Sequence, residues 1–181
     1  MALTCIPKSV LSSAVCTENP AGLSTFLYAV PVEGIQIQID DDKNQYTISA
    51  AAGENAALQG YRIDFKAQTG NYSSEDNGMG KGWTGTLTGR VELAEDVMAW
   101  TSRVLHNSDK YLYFVATGKR VEGDPEFIVI GNENGEAEWA VAADTGTTRQ
   151  DDHGQTFTVT CGYQLYPLTK YVGNIQQKDK A

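Results

Sequence analysis

Asp151, Asp152 and His153 stand in a row with Asp144 a short distance upstream, and carboxylates beside an imidazole are the minimum kit for base catalysis or metal ligation. The only other histidine is His106, and neither sits in an HExxH or HxH spacing. Asp, His and Gly are also the ordinary residues of an exposed turn, which is the reading favoured for 144–154. Asp40-Asp41-Asp42 invites a calcium reading, because hard cations take clustered oxygens. An EF-hand loop, however, needs Gly at its sixth place and Glu at its twelfth, where Gln45 and Ala51 stand. Gly78-Met79-Gly80-Lys81-Gly82 lacks the spacing of a phosphate loop and leads into a strand pattern, so no helix dipole faces a phosphate. Glu138 beside Trp139 is the one acid in an aromatic setting, but strand alternation places the two on opposite faces.

Trp83, Trp100 and Trp139 could stack on sugars, although Trp100 fits a helix core better. The three cysteines, Cys5, Cys16 and Cys161, lack CxxC spacing and are read as reduced thiols. No catalytic set assembles from these residues, and the expectation is a protein that is not an enzyme and needs no cofactor or metal.

The elements that must position any site follow from composition and periodicity. A chain of 181 residues, 41% hydrophobic, is sized for one domain. With 14 Lys and Arg against 23 Asp and Glu, its formal net charge is -9, and Lys119-Arg120 is its densest basic point. Tight nucleic-acid binding by counterion release is therefore not expected. The opening Met1-Ala2-Leu3-Thr4-Cys5-Ile6-Pro7-Lys8 has neither the basic start nor the unbroken apolar run of an export signal, so synthesis in the cytoplasm and no membrane partner are expected.

Residues 1–24 read as an N-terminal arm, 25–166 as a single β-sandwich domain, and 167–181 as a frayed C-terminal tail. Phe26-Leu27-Tyr28-Ala29-Val30 is an apolar strand. Ile35, Ile37 and Ile39 alternate with Gln36, Gln38 and Asp40, and Tyr46-Thr47-Ile48-Ser49 returns as their partner. Tyr61 to Gln68 alternates, with Ile63 and Phe65 on one side and Arg62, Asp64, Lys66 and Gln68 on the other. A long hairpin loop is expected over 69–82, and deletion of 70–81 is expected to spare the fold. The glycines of Gly85, Leu87, Gly89 and Val91 would let a large side chain come close.

Leu93, Val97, Trp100 and Val104 predict one amphipathic helix over 93–106 with a buried Trp100. Tyr111 to Val115 and Phe127 to Ile130 read as buried strands, with turns at Gly118-Lys119-Arg120 and Gly123-Asp124-Pro125. Phe157, Val159 and Cys161 face inward on the last strong strand. The fold class is mainly β, a sandwich or barrel with one packed helix.

This order of elements resembles the major tail tube proteins of long-tailed bacteriophages, particularly phages of gut Bacteroidota, over about residues 60–165. The resemblance rests on the hairpin after Tyr61 to Gln68, the single helix at 93–106, Tyr111 to Val115 followed by Phe127-Ile128-Val129-Ile130-Gly131, and Asp144-Thr145-Gly146-Thr147-Thr148 followed by Asp152-His153-Gly154-Gln155-Thr156-Phe157-Thr158. It implies a virion structural protein of the tail, a β-sandwich forming hexameric rings with copies of itself, stacked into a tube alongside other tail proteins. Double-stranded DNA would pass through it without specific contacts, repelled by an acidic lining.

On that reading Tyr72, Met79, Lys81 and Trp83 are candidates for contact between subunits. Gln36, Gln38, Asp40, Asp64 and Gln68 are candidates for the lumen or another polar sheet face. Other readings stay open: a tail terminator, head-to-tail connector or baseplate tube component of similar fold, or a carbohydrate-binding β-sandwich.

Overall fold

The computed structural model describes residues 23–33, 35–40, 45–50, 58–91, 95–106, 110–132, 136–144 and 154–178. The Asp151-Asp152-His153 row, the Asp41 to Asn44 turn, Cys5, Cys16 and the N-terminal arm to residue 22 lie outside these residues. In chain order the elements are β1 (Phe26–Pro31), β2 (Ile35–Asp40), β3 (Gln45–Ala50), β4 (Leu58–Asp64), β5 (Asn71–Asp76), β6 (Trp83–Val91), α1 (Glu95–His106), β7 (Tyr111–Val121), β8 (Asp124–Ile130), β9 (Glu138–Asp144), β10 (Gly154–Gln164), β11 (Thr169–Val172) and β12 (Ile175–Gln177). They form an eight-stranded sheet, β12-β4-β1-β7-β8-β11-β3-β2, and a four-stranded sheet, β5-β6-β10-β9.

The most apolar runs occupy the middle of the large sheet because both of its faces are covered. Leu27, Ala29, Ile63, Tyr113, Val115, Ile128 and Ile130 face the small sheet, meeting Leu87, Val91, Trp139, Phe157, Val159 and Cys161 in one core. Tyr28, Val30, Leu58, Leu112, Phe114, Phe127, Val129 and Tyr171 fill a second core on the other face, joined by Ile35 and Ile37 of β2 and Ile175 of β12. Unbroken apolar sequence is what a strand buried on both faces requires.

The second core exists because the large sheet curls upon itself. Only Gly173 and Asn174 separate β11 from β12, yet five strand spacings lie between those strands in the sheet order. In a flat sheet that is about 24 Å, whereas three Cα steps span at most about 11 Å. Curling brings the two together, and the result is a half-barrel with a smaller sheet packed on one side. Its concave interior is held by aromatic edges, with Phe114 5.4 Å from Tyr171 and Tyr28 6.1 Å from Phe127 between ring centroids.

Several expectations are corrected here. Residues 71–76 are not loop: β5 pairs with β6 from Asn71↔Thr88 to Asp76↔Trp83, which leaves only residues 77–82 as the connection. Ser, Glu, Asp and Asn mask strand identity because β5 is a sheet edge with one exposed face. Its Tyr72 packs on the core, so deletion of 70–81 removes a paired strand and is expected to destabilise the fold. The 118–120 turn is a bulge inside a longer hairpin. The ladder slips between Ala116 and Arg120, Gly118 takes φ 74°, and the reversal falls at Glu122-Gly123, both at positive φ.

The tail expected to fray from 167 carries two strands, with Thr169 and Tyr171 buried between neighbours. Among the described side chains of α1, Leu105, at the edge of the expected stripe, is buried, and Val104, near its centre, is exposed. The side chain of Trp100 lies outside the described part of the helix.

The close approaches expected of the β6 glycines are present. A Cβ on Gly89 would stand 2.6 Å from the Phe157 ring, and one on Gly85 would stand 2.1 Å from Gln164 Oε1. Phe157 is fully buried and stacked 5.0 Å from Trp139, so it has nowhere to retreat. Gly89→Ala is accordingly expected to cost about 1–3 kcal/mol, the range for overpacking a filled core. A chemical denaturation midpoint equal to that of the unchanged protein would contradict this.

Candidate assembly surface

One end of the small sheet carries a bulge that turns apolar side chains outward. β10 runs in register with β6 from Gln155↔Val91 to Cys161↔Gly85, then resumes at Gln164↔Trp83, so one extra residue is inserted on β10. This bulge reverses the alternation. The phase of Phe157, Val159 and Cys161 would carry Tyr163 inward, but the slip turns Gln164 in and Tyr163 out.

Gln164 is buried and bonded through both its oxygen and its nitrogen. Its Oε1 accepts from the Tyr72 hydroxyl at 3.0 Å, and its Nε2 donates to the Val129 carbonyl at 3.3 Å, tying the edge strand of the small sheet to β8 of the large one. The single Tyr72 hydroxyl proton is shared with the Pro167 carbonyl at 2.9 Å, which holds the segment after β10 against β5. The β5–β6 turn is pinned to the same place, with Asn77 Nδ2 donating to the Gly162 carbonyl at 2.8 Å and Thr84 Oγ1 donating to Asn77 Oδ1 at 2.8 Å.

The side chains left outside are apolar. Tyr163 is 73% exposed, Leu165 48% and Leu168 37%, and Met79 at the tip of the turn is fully exposed. An exposed apolar cluster rimmed by polar groups marks an interaction surface more often than chance. Lys81 is exposed beside Met79, while Glu75 and Asp76 keep the open edge of β5 charged. The other edge of the small sheet is covered, since α1 packs on β9 and the Trp139 carbonyl accepts from His106 Nδ1 at 3.1 Å in the Nδ1–H tautomer.

Of the residues expected to contact a neighbour, Met79 and Lys81 are at this end and exposed, Trp83 is half-buried, and Tyr72 is a half-buried brace. Sequence reasoning missed Tyr163, Leu165 and Leu168. No sequence signal marked them: apolar residues fall at every odd position from Phe157 to Leu165, so the alternation runs unbroken through the bulge.

The candidates for a polar sheet face lie on more than one face. Arg62 and Asp64 are in register with Tyr28 and Phe26, on the concave face, where Asp64 Oδ1 accepts from Arg62 Nε at 2.8 Å and Arg62 lies 4.4 Å over the Phe26 ring. Gln36 and Gln38 are exposed on the convex face, because Ile35 and Ile37 turn inward, and Asp40 is half-buried at the end of the same strand. Gln68 is not on a sheet: β4 ends at Asp64, and Gln68 sits in a turn at φ 64°.

The remaining chemistry is sparse. Among the described residues no group of His, Cys, Asp and Glu could hold a metal ion, and no helix is long and apolar enough to cross a membrane. Trp139 is buried and cannot offer its ring to a sugar, and Glu138 is exposed on the opposite face. No family model, curated protein or solved structure matches the chain.

Proposed function

We propose that this chain is a virion structural protein, a tail tube subunit that associates with copies of itself into stacked rings enclosing a channel for double-stranded DNA. The observation that carries the reading is the exposed apolar end made by Met79, Tyr163, Leu165 and Leu168. A bulge and a buried Gln164, bonded to Tyr72 and to the Val129 carbonyl, set the strand from which Tyr163 and Leu165 point outward. A rigid apolar surface costs little ordering entropy when it docks. The edge of β5, which pairs with no further strand among the described residues, and the two outer strands of the curled sheet supply further surfaces along which neighbours can align. A net charge of -9 suits a channel that a polyanion must slide through.

The test is a double substitution, Tyr163→Glu with Leu165→Glu, on side chains that contribute little to the folded subunit. Sedimentation velocity should show concentration-dependent large species for the unchanged protein and a folded monomer for the variant. A variant that sediments like the unchanged protein removes this surface from the account.

A further inference from the structure

The pair Asn77-Gly78 opens the β5–β6 turn. An asparagine followed by glycine is exposed to attack by the next backbone nitrogen, because glycine has no Cβ to shield its own amide. Here every group needed for that attack is engaged. Asn77 Nδ2 donates to the Gly162 carbonyl at 2.8 Å, Asn77 Oδ1 accepts from Thr84 Oγ1 at 2.8 Å, and the Gly78 N–H donates to Asp76 Oδ1 at 2.8 Å. The Asn77 backbone N–H is also bonded, to the Gly82 carbonyl at 3.1 Å. The amide is thus drawn toward β10 and β6, and the attacking nitrogen is turned toward Asp76.

We propose that Asn77 is a self-modification site that the folded hairpin holds shut, so that it deamidates only when the turn detaches from β10. In the open turn the Gly78 nitrogen loses its proton to solvent base and forms a bond to Asn77 Cγ. The Cγ–Nδ2 bond breaks, ammonia leaves, and water then opens the five-membered imide to aspartate or isoaspartate. The change is one-way. The new carboxylate has no proton to donate to the Gly162 carbonyl, so two acceptors face each other where the clip stood, and isoaspartate also lengthens the backbone by one carbon. Deamidation would therefore release the tip that carries Met79. This chemistry belongs to the subunit itself and does not depend on the assembly reading.

Peptide mapping by mass spectrometry follows the conversion of amide to acid at Asn77 in mildly alkaline buffer, for the folded full-length chain and for the same chain in urea. The folded chain should react about tenfold or more slowly, as expected when several hydrogen bonds must open first. Thr84→Val keeps the β-branched shape on β6 but removes the hydroxyl. It should raise the folded-state rate several-fold and leave the rate in urea unchanged. Equal rates in the folded and unfolded chains, or a Thr84→Val rate no faster than that of the unchanged folded protein, would overturn the proposal.

Discussion

Trp139→Ala is expected to cost about 3–5 kcal/mol, the range for removing a large aromatic from a filled core. Trp139 is buried at the junction of three elements. Its ring stacks on Phe157 at 5.0 Å with an interplanar angle of 2°, and lies 5.8 Å from Tyr113 at 19°, so one side chain links β9, β10 and the large sheet. Its Nε1 points to Ser102 Oγ at 3.5 Å, and its carbonyl receives His106, which fastens the helix to the edge of the sheet. Truncation leaves a void bounded by two stiff rings, which cannot close it by changing rotamer. Urea denaturation followed by far-ultraviolet circular dichroism measures the loss. A midpoint within error of the unchanged protein would show that this stack does not organise the core.

The second large effect is an alkaline loss of stability. Tyr113 is fully buried, and its hydroxyl has no hydrogen-bond partner among the described residues. Burial pushes its pKa well above the ordinary tyrosine range, with a smaller upward contribution from Tyr111. The group stays neutral in the folded chain while the unfolded chain ionises, so its contribution to stability is complete below the unfolded pKa of about 10 and falls as pH rises beyond it. The expected slope is about 1.4 kcal/mol per pH unit for each such group. Burial also raises Tyr171 and Cys161, which add to the decline.

Tyr113→Phe deletes a buried hydroxyl and keeps the ring. It should leave stability at neutral pH unchanged or slightly higher, and should flatten the curve above about pH 10. If the variant declines as steeply as the unchanged protein, the hydroxyl ionises in the folded state and is not sealed from water.

Much of the fold was legible because its driving pattern is local. The runs of β1, β7 and β8 announced strands buried on both faces, the phase of Phe157, Val159 and Cys161 gave the inner side of β10, and the β6 glycines gave the close approach of Phe157. What failed depended on distant partners. β5 is made almost wholly of turn formers and is a strand only because β6 offers a ladder to an edge. β11 and β12 carry too few apolar residues to be read as core. They are held because curling of the large sheet brings β8 and β4 within their reach.

The apolar end was hidden for a different reason. One inserted residue at Gly162 exchanges the inside and outside of everything after it, and nothing in composition registers a shift of phase. The candidates for a polar face were not separable by side from the sequence, since Gln36 and Asp64 share a sheet but face opposite sides of it.

The proposed function requires the chain to assemble without other proteins. Negative-stain electron microscopy of the purified full-length chain across a concentration series tests it most directly. Hollow rings, or tubes of stacked rings, that become more frequent with concentration are the predicted result. A strictly monomeric particle at the highest concentration would contradict it.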